Sequence, residues 1–121
     1  MMRKKAIDEQ IIEILCFAHW TEQAAQELAE SSHVITYVKG SPIFHAGEPA
    51  DLLYVLLSGE AKVYYSSAAG ERLLIDIVGP GQLLGYPHWQ QWESGDATQR
   101  WSVEAMSTCV VALITRRSTA R

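Results

Sequence analysis

Two textures meet near residue 33. Before it, apolar residues recur at helical spacing. Ile7, Ile11, Ile14 and Leu15 fall on one side of a turn-by-turn pattern, with Asp8, Glu9 and Glu13 on the other, which predicts an amphipathic helix over residues 3–17. Thr21 suits the N-cap of a second helix and Glu22 suits its positive end. Ala24, Ala25, Leu28 and Ala29 supply the apolar face, and Ser31-Ser32 ends it. From His33 onward, short runs rich in β-branched and aromatic residues alternate with turn signals. They predict strands at residues 33–38, 42–45, 52–58, 60–65, 72–78, 82–84, 100–105 and 109–114. The breaks are Lys39-Gly40-Ser41, Gly47 to Asp51, Ser58-Gly59, Ala69-Gly70-Glu71 and Gly79-Pro80-Gly81. Eight short strands so spaced predict a mainly β fold, an eight-stranded jelly roll or closed sandwich, preceded by two helices.

Length and composition narrow this picture. A chain of 121 residues is enough for one domain, read as a helical segment 1–32, a β unit 33–115 and a basic tail 116–121. With 48% hydrophobic residues it can fill a core, and a formal charge of −4 argues against a nucleic-acid-binding module. Cys16 and Cys109 lie far apart in apolar runs; free thiols in a reducing compartment are expected, although a disulfide stays open. The basic start Met1-Met2-Arg3-Lys4-Lys5 runs straight into acidic residues, which excludes a secretory signal. No stretch approaches the roughly 18 apolar residues of a membrane span, so the expected location is the cytoplasm.

Candidate catalytic chemistry is sparse. His19, His33, His45 and His88 show no close metal-type spacing, and no nucleophile elbow, P-loop or paired-carboxylate signature occurs. The expectation is a non-enzymatic protein without a metal. A metal-dependent cupin enzyme, which would share the barrel, is the third-ranked alternative.

Three stretches carry a resemblance. They are Lys39 to Asp51 (KGSPIFHAGEPAD), Leu53 to Tyr64 (LYVLLSGEAKVY) and Ile77 to Gly85 (IVGPGQLLG). Together they resemble the cyclic-nucleotide-binding domain of catabolite-activator and Fnr-type (Crp-Fnr) regulators, the sensor half only. The resemblance covers about residues 17–114. It implies a cyclic nucleotide held inside the barrel. In the family a helix start after the Gly-Pro-Gly turn meets the phosphate, a glutamate after the glycine holds the ribose, and an arginine at the head of the next strand pairs with the phosphate.

This sequence departs from that pattern. Gly85 is kept, but Tyr86 stands at the glutamate position and Pro87, which has no N–H, follows. The arginine depends on register. If Arg100 points inward, Ser102 and Glu104 do too, which buries a carboxylate at a cost of at least a few kcal/mol if it is unpaired. If Trp101, Val103 and Ala105 point inward, Gln99 takes the arginine position and Arg100 faces out. The second register is favoured. The expected lining is Phe44, Val63, Ile75, Leu84, Gly85, Tyr86, Gln99 and Trp101, with Arg100 retained as the rival phosphate ligand. Cyclic AMP is therefore an unfavoured ligand, and a differently shaped small effector or none is expected. The leading reading is an effector-sensing regulatory module, and the alternative is a protein-interaction module whose pocket Trp101 and Tyr86 fill. Trp89 and Trp92 suggest a homodimer contact. In the family a dimer helix and a DNA reader follow the barrel. This chain ends at Arg121, so no direct DNA binding by it is expected, whether it is a piece of a larger regulator or a stand-alone sensor.

Overall fold

A computed structural model of the chain describes residues 2–50, 52–84 and 98–115. Helix α1 spans Met2–Phe17 and α2 spans Glu22–Glu30. Thr21 caps α2 as expected: its hydroxyl accepts the Ala24 N–H at 3.1 Å. The end of α1 is less ordinary. His19 sits at φ 74°, a left-handed conformation usually left to glycine. Its N–H donates to Cys16 O and that of Trp20 to Leu15 O, both at 3.0 Å, which satisfies carbonyls of the last turn.

The strands are β1 (His33–Tyr37), β2 (Pro42–Phe44), β3 (Leu52–Ser58), β4 (Ala61–Ser66), β5 (Arg72–Val78), β6 (Leu83–Leu84), β7 (Ser102–Ala105) and β8 (Cys109–Thr115). They form two antiparallel four-stranded sheets, ordered β1-β8-β3-β6 and β2-β7-β4-β5. Every expected element is found, with ends moved by a residue or two. The largest change is at β7, which starts at Ser102 instead of Arg100, because Thr98 and Gln99 pair with the 47–49 loop and not with β4.

Burial explains the run Leu52 to Leu57. β3 lies in the middle of the first sheet, and both its faces are covered. Leu53, Val55 and Leu57, with Ala112 and Ile114 of β8, pack against Ile11, Leu15, Ala25, Leu28 and Ala29 of the helices. Leu56, with Cys109 and Val111 of β8, packs in the sandwich interior with Phe44, Ala61, Val103 and Ala105 of the second sheet. The helices thus close the outer face of the first sheet and leave the space between the sheets to the strands.

One glycine is required by its neighbours. Gly59, between β3 and β4, has φ 90°, and a Cβ there would overlap the Thr108 carbonyl oxygen and lie 2.9 Å from Cys109 Cα. Its close approach brings the β3–β4 turn against the start of β8.

Candidate functional site

The candidate site is the inner face of the second sheet where β6 leaves the barrel and β7 returns. The Gly79-Pro80-Gly81 turn is docked on β3: Gly81 N–H donates to Leu56 O at 2.8 Å and Leu56 N–H donates to Gln82 O at 3.0 Å. The Gln82 side chain accepts the Gly79 N–H at 2.6 Å. Leu83 and Leu84 are thereby set opposite Val55 and Tyr54, and Leu84 enters the interior core. Gly85 and Tyr86, with Trp89 and Trp92, lie outside the described residues.

The returning chain is fastened to the β2–β3 loop. Gln99 N–H donates to Glu48 O and Gly47 N–H donates to Gln99 O, both at 2.8 Å. Thr98 bridges Pro49. Ala46 N–H donates to the Ser102 hydroxyl at 3.0 Å, and His45 N–H donates to the Glu48 carboxylate at 2.9 Å. The loop side chain of Glu48 and the backbone of 46–49 therefore fix how residues 98–103 present their side chains. His45 itself is exposed.

Of the residues that the favoured register turns inward, Val103 and Ala105 belong to the core, whereas Trp101, which precedes β7, is only half-buried. Val103 and Ala105 lie in the interior, Gln99 is 3% exposed, Arg100 is exposed and Trp101 is half-buried. Neither Oε1 nor Nε2 of Gln99 has a hydrogen-bond partner, an expensive state for a buried amide. Glu104 faces the other way. It accepts from Arg72 at 2.9 Å and lies 3.5 Å from Lys62 Nζ, while the Arg72 guanidinium also stacks 3.9 Å over the Tyr64 ring. The Arg72 hydrogen bond, aided by Lys62, holds the Glu104 carboxyl below its ordinary range despite partial desolvation. Ser102 shares this outer side by alternation yet is buried, because the 46–49 loop folds over it.

Cross-strand pairing aligns a row on the inner face. Phe44 is opposite Val103, Val103 is opposite Val63, and Val63 is opposite Asp76. Directly opposed residues share a face, so the row runs Phe44, Val103, Val63 across three strands and reaches, next to a bulge, the exposed Asp76 of the edge strand β5. Phe44 is buried with its ring centroid 4.8 Å from that of Tyr54, and Val63 and Tyr54 are half-buried at the margin of the core. A bulge between the Val63 and Tyr64 pairings leaves Ile75 as the extra residue of β5, 43% exposed. Sequence reasoning chose Ile75 for this neighbourhood and passed over Asp76. The missed signal is a lone charge inside the apolar strand Leu73 to Val78.

Other chemistry is muted. Both cysteines are free thiols, and burial pushes the Cys109 thiol upward, away from the reactive thiolate. Burial also raises Tyr37. Among the described residues no three His, Cys, Asp or Glu side chains gather as metal ligands, and no helix is long and apolar enough to cross a membrane.

Comparison with known proteins agrees with this architecture. The CRP-like cAMP-activated global transcriptional regulator of Mycobacterium tuberculosis is 31% identical over 62 residues, which is 51% of this chain and 28% of that protein. The chain therefore matches well under half the length of that curated relative. A solved cyclic nucleotide-binding-like protein from Brucella abortus superposes with a TM-score of 0.74 at 25% identity, covering 90% of this chain and 93% of the other. The regulatory domain of Toxoplasma gondii PKA, crystallised with cAMP, shares the fold at a TM-score of 0.80 and 18% identity, over 97% of this chain and 44% of its own. A family model, the cyclic nucleotide-binding domain, matches residues 34–121, and with two sheets, Gly-Pro-Gly turn and inner face arranged as above, the chain belongs to that family.

Proposed function

We propose that this chain is an effector-sensing module of a Crp-Fnr-type regulator whose pocket does not favour a cyclic phosphate. The observation that carries the reading is Gln99: its amide is buried at the position the family resemblance gives to the phosphate arginine, while Arg100 is exposed. A neutral amide in place of a guanidinium forgoes a charge-assisted hydrogen bond, roughly 1.5–3 kcal/mol, or about one to two decades of affinity. The site would comprise Phe44, Val63, Leu84 and Gln99 with Trp101 at its margin, completed by Gly85 and Tyr86. The module binds and does not catalyse; its setting is the cytoplasm, which its two free thiols suit. Regulation of transcription is carried over from the names of the curated relatives.

Calorimetric titration with cyclic AMP and cyclic GMP tests the reading. Weak or absent binding of both is expected. Tight cyclic AMP binding that disappears in Arg100→Ala would overturn it and restore the rejected register.

A second reading has its own support. β5 is an edge strand, and Leu73, Leu74, Ile75 and Ile77 are 43–62% exposed along it. Such a surface suits a protein-interaction module with a filled pocket. Self-association through Trp89 and Trp92 belongs to the same reading. Light scattering over a concentration series, with Trp92→Ala as control, tests the self-association: a monomer throughout removes it.

A further inference from the structure

Among the described residues, β5 is the longest strand at a sheet edge, with seven residues against five in β1, three in β2 and two in β6. It is also apolar and open: Leu73, Leu74, Ile75 and Ile77 are all exposed. An edge of this kind is ordinarily a template on which another strand can pair.

The backbone of β5 does not offer that template. At the β4–β5 turn Ser67 N–H donates to Glu71 O at 2.8 Å. In an antiparallel pair, bonded residues alternate with residues whose N–H and C=O point away from the partner. Counted through the register from Ser67 and Glu71, Leu73, Asp76 and Val78 bond to β4, whereas Arg72, Leu74 and Ile77 turn their backbone groups to the open edge. The bulge at Ile75 therefore breaks the spacing of the outward residues between Leu74 and Ile77. An added regular strand presents its bonding groups at every second residue. It can follow Arg72 and Leu74, or Ile77, but not all three.

Asp76 is a second guard. One of its carboxylate oxygens accepts the Ile77 N–H at 2.8 Å, so the outward donor beyond the bulge is already taken. Asp76 is exposed, and a strand laid alongside would also have to strip water from its charge.

We infer that the β5 edge is closed to strand addition: the bulge at Ile75 puts its outward groups out of phase and the Asp76 carboxylate occupies the Ile77 N–H, so neither a second copy of this chain nor an extended peptide lengthens the sheet there. The apolar side chains along β5 are then open only to contacts that make no ladder with its backbone. The inference is independent of what the pocket takes and of self-association through Trp92.

Residue-resolved amide hydrogen exchange tests both guards. The proteins are wild type, Asp76→Asn, Asp76→Val, and Asp76→Val combined with deletion of Ile75, each checked for folding by circular dichroism. In dilute wild type, the Ile77 amide should exchange at least about tenfold more slowly than those of Arg72 and Leu74, after correction for intrinsic rates. Asp76→Asn keeps an oxygen for the bond and should keep this protection, and Asp76→Val should lose it. At high concentration the Arg72 and Leu74 amides should stay fast in wild type. In the deletion variant, whose outward groups are in phase, they should slow by at least about tenfold as strands pair. Equal Ile77 exchange in wild type and Asp76→Val would overturn the role of Asp76. Slowing of Arg72 and Leu74 in concentrated wild type, or a folded deletion variant without slowing, would overturn the closure. Should the deletion variant not fold, the wild-type concentration series and the Ile77 comparison still decide the question.

Discussion

Replacing Gln99 with leucine should stabilise the protein. The two side chains are similar in size, so the exchange introduces neither a large void nor an overlap. It removes two buried polar atoms that have no partners. Leaving a buried donor or acceptor unpaired costs about 1–3 kcal/mol, whereas an apolar group of like shape in the same place costs nothing of the kind. The backbone bonds to Glu48 and Gly47 do not involve the side chain and survive the change. The expected gain is therefore about 1–3 kcal/mol, and each kcal/mol corresponds to a shift of roughly 3–5 °C in Tm for a chain of this length. Urea denaturation of wild type and Gln99→Leu, followed by circular dichroism, measures it. The midpoint should rise with the m-value unchanged, so that the shift reports stability and not a change in the unfolded state. A loss of 1 kcal/mol or more at unchanged m would mean that the amide is bonded within the protein.

Other consequences follow from named contacts. Gly59→Ala adds left-handed strain and a collision with the Thr108 carbonyl, so a loss of about 3 kcal/mol or more is expected in the same denaturation assay. Gly40→Ala, at φ 85° with nothing within 4 Å of the added carbon, should show the strain alone, about 1–2 kcal/mol; equal losses would refute the close approach. His19→Gly should stabilise by about 0.5–1 kcal/mol in a thermal melt, because glycine adopts the φ of 74° without penalty. Glu104 has a depressed carboxyl pKa in the folded protein, so its contribution is present above the ordinary carboxylate range and is lost as pH falls through the lowered value. Glu104→Gln should accordingly be less stable than wild type at pH 7 and close to it near pH 3 in urea titrations; a difference that does not shrink on acidification would contradict the ion pair.

Much of this was legible in the chain. The helical period of Ile7, Ile11, Ile14 and Leu15, the cap at Thr21, and the glycine-marked turns fixed the order of elements. The inward turn of Val103 and Ala105 was readable because the alternative places a carboxylate inside. The physical reason is subtler than that. Glu104 lies 32 residues from Arg72, which binds it, and no local pattern announces that pair. Ser102 has an outward position in the alternation, yet a loop 56 residues away covers it. The bulge in β5 exchanges Ile75 for Asp76 opposite Val63, and a one-residue insertion in a ladder leaves no mark in the periodicity of a uniformly apolar strand. What escaped the sequence was thus set by long-range partners and by one local slip, not by the propensities of the residues themselves.

The most direct trial of the account is a gain of function. Gln99→Arg returns a guanidinium to the position where the family places its phosphate partner. Cyclic AMP titrated by calorimetry into wild type and into Gln99→Arg, each confirmed folded by circular dichroism, should bind the variant at least about tenfold more tightly. Wild-type protein that binds cyclic AMP as tightly as the variant would show that residue 99 has no part in choosing the ligand.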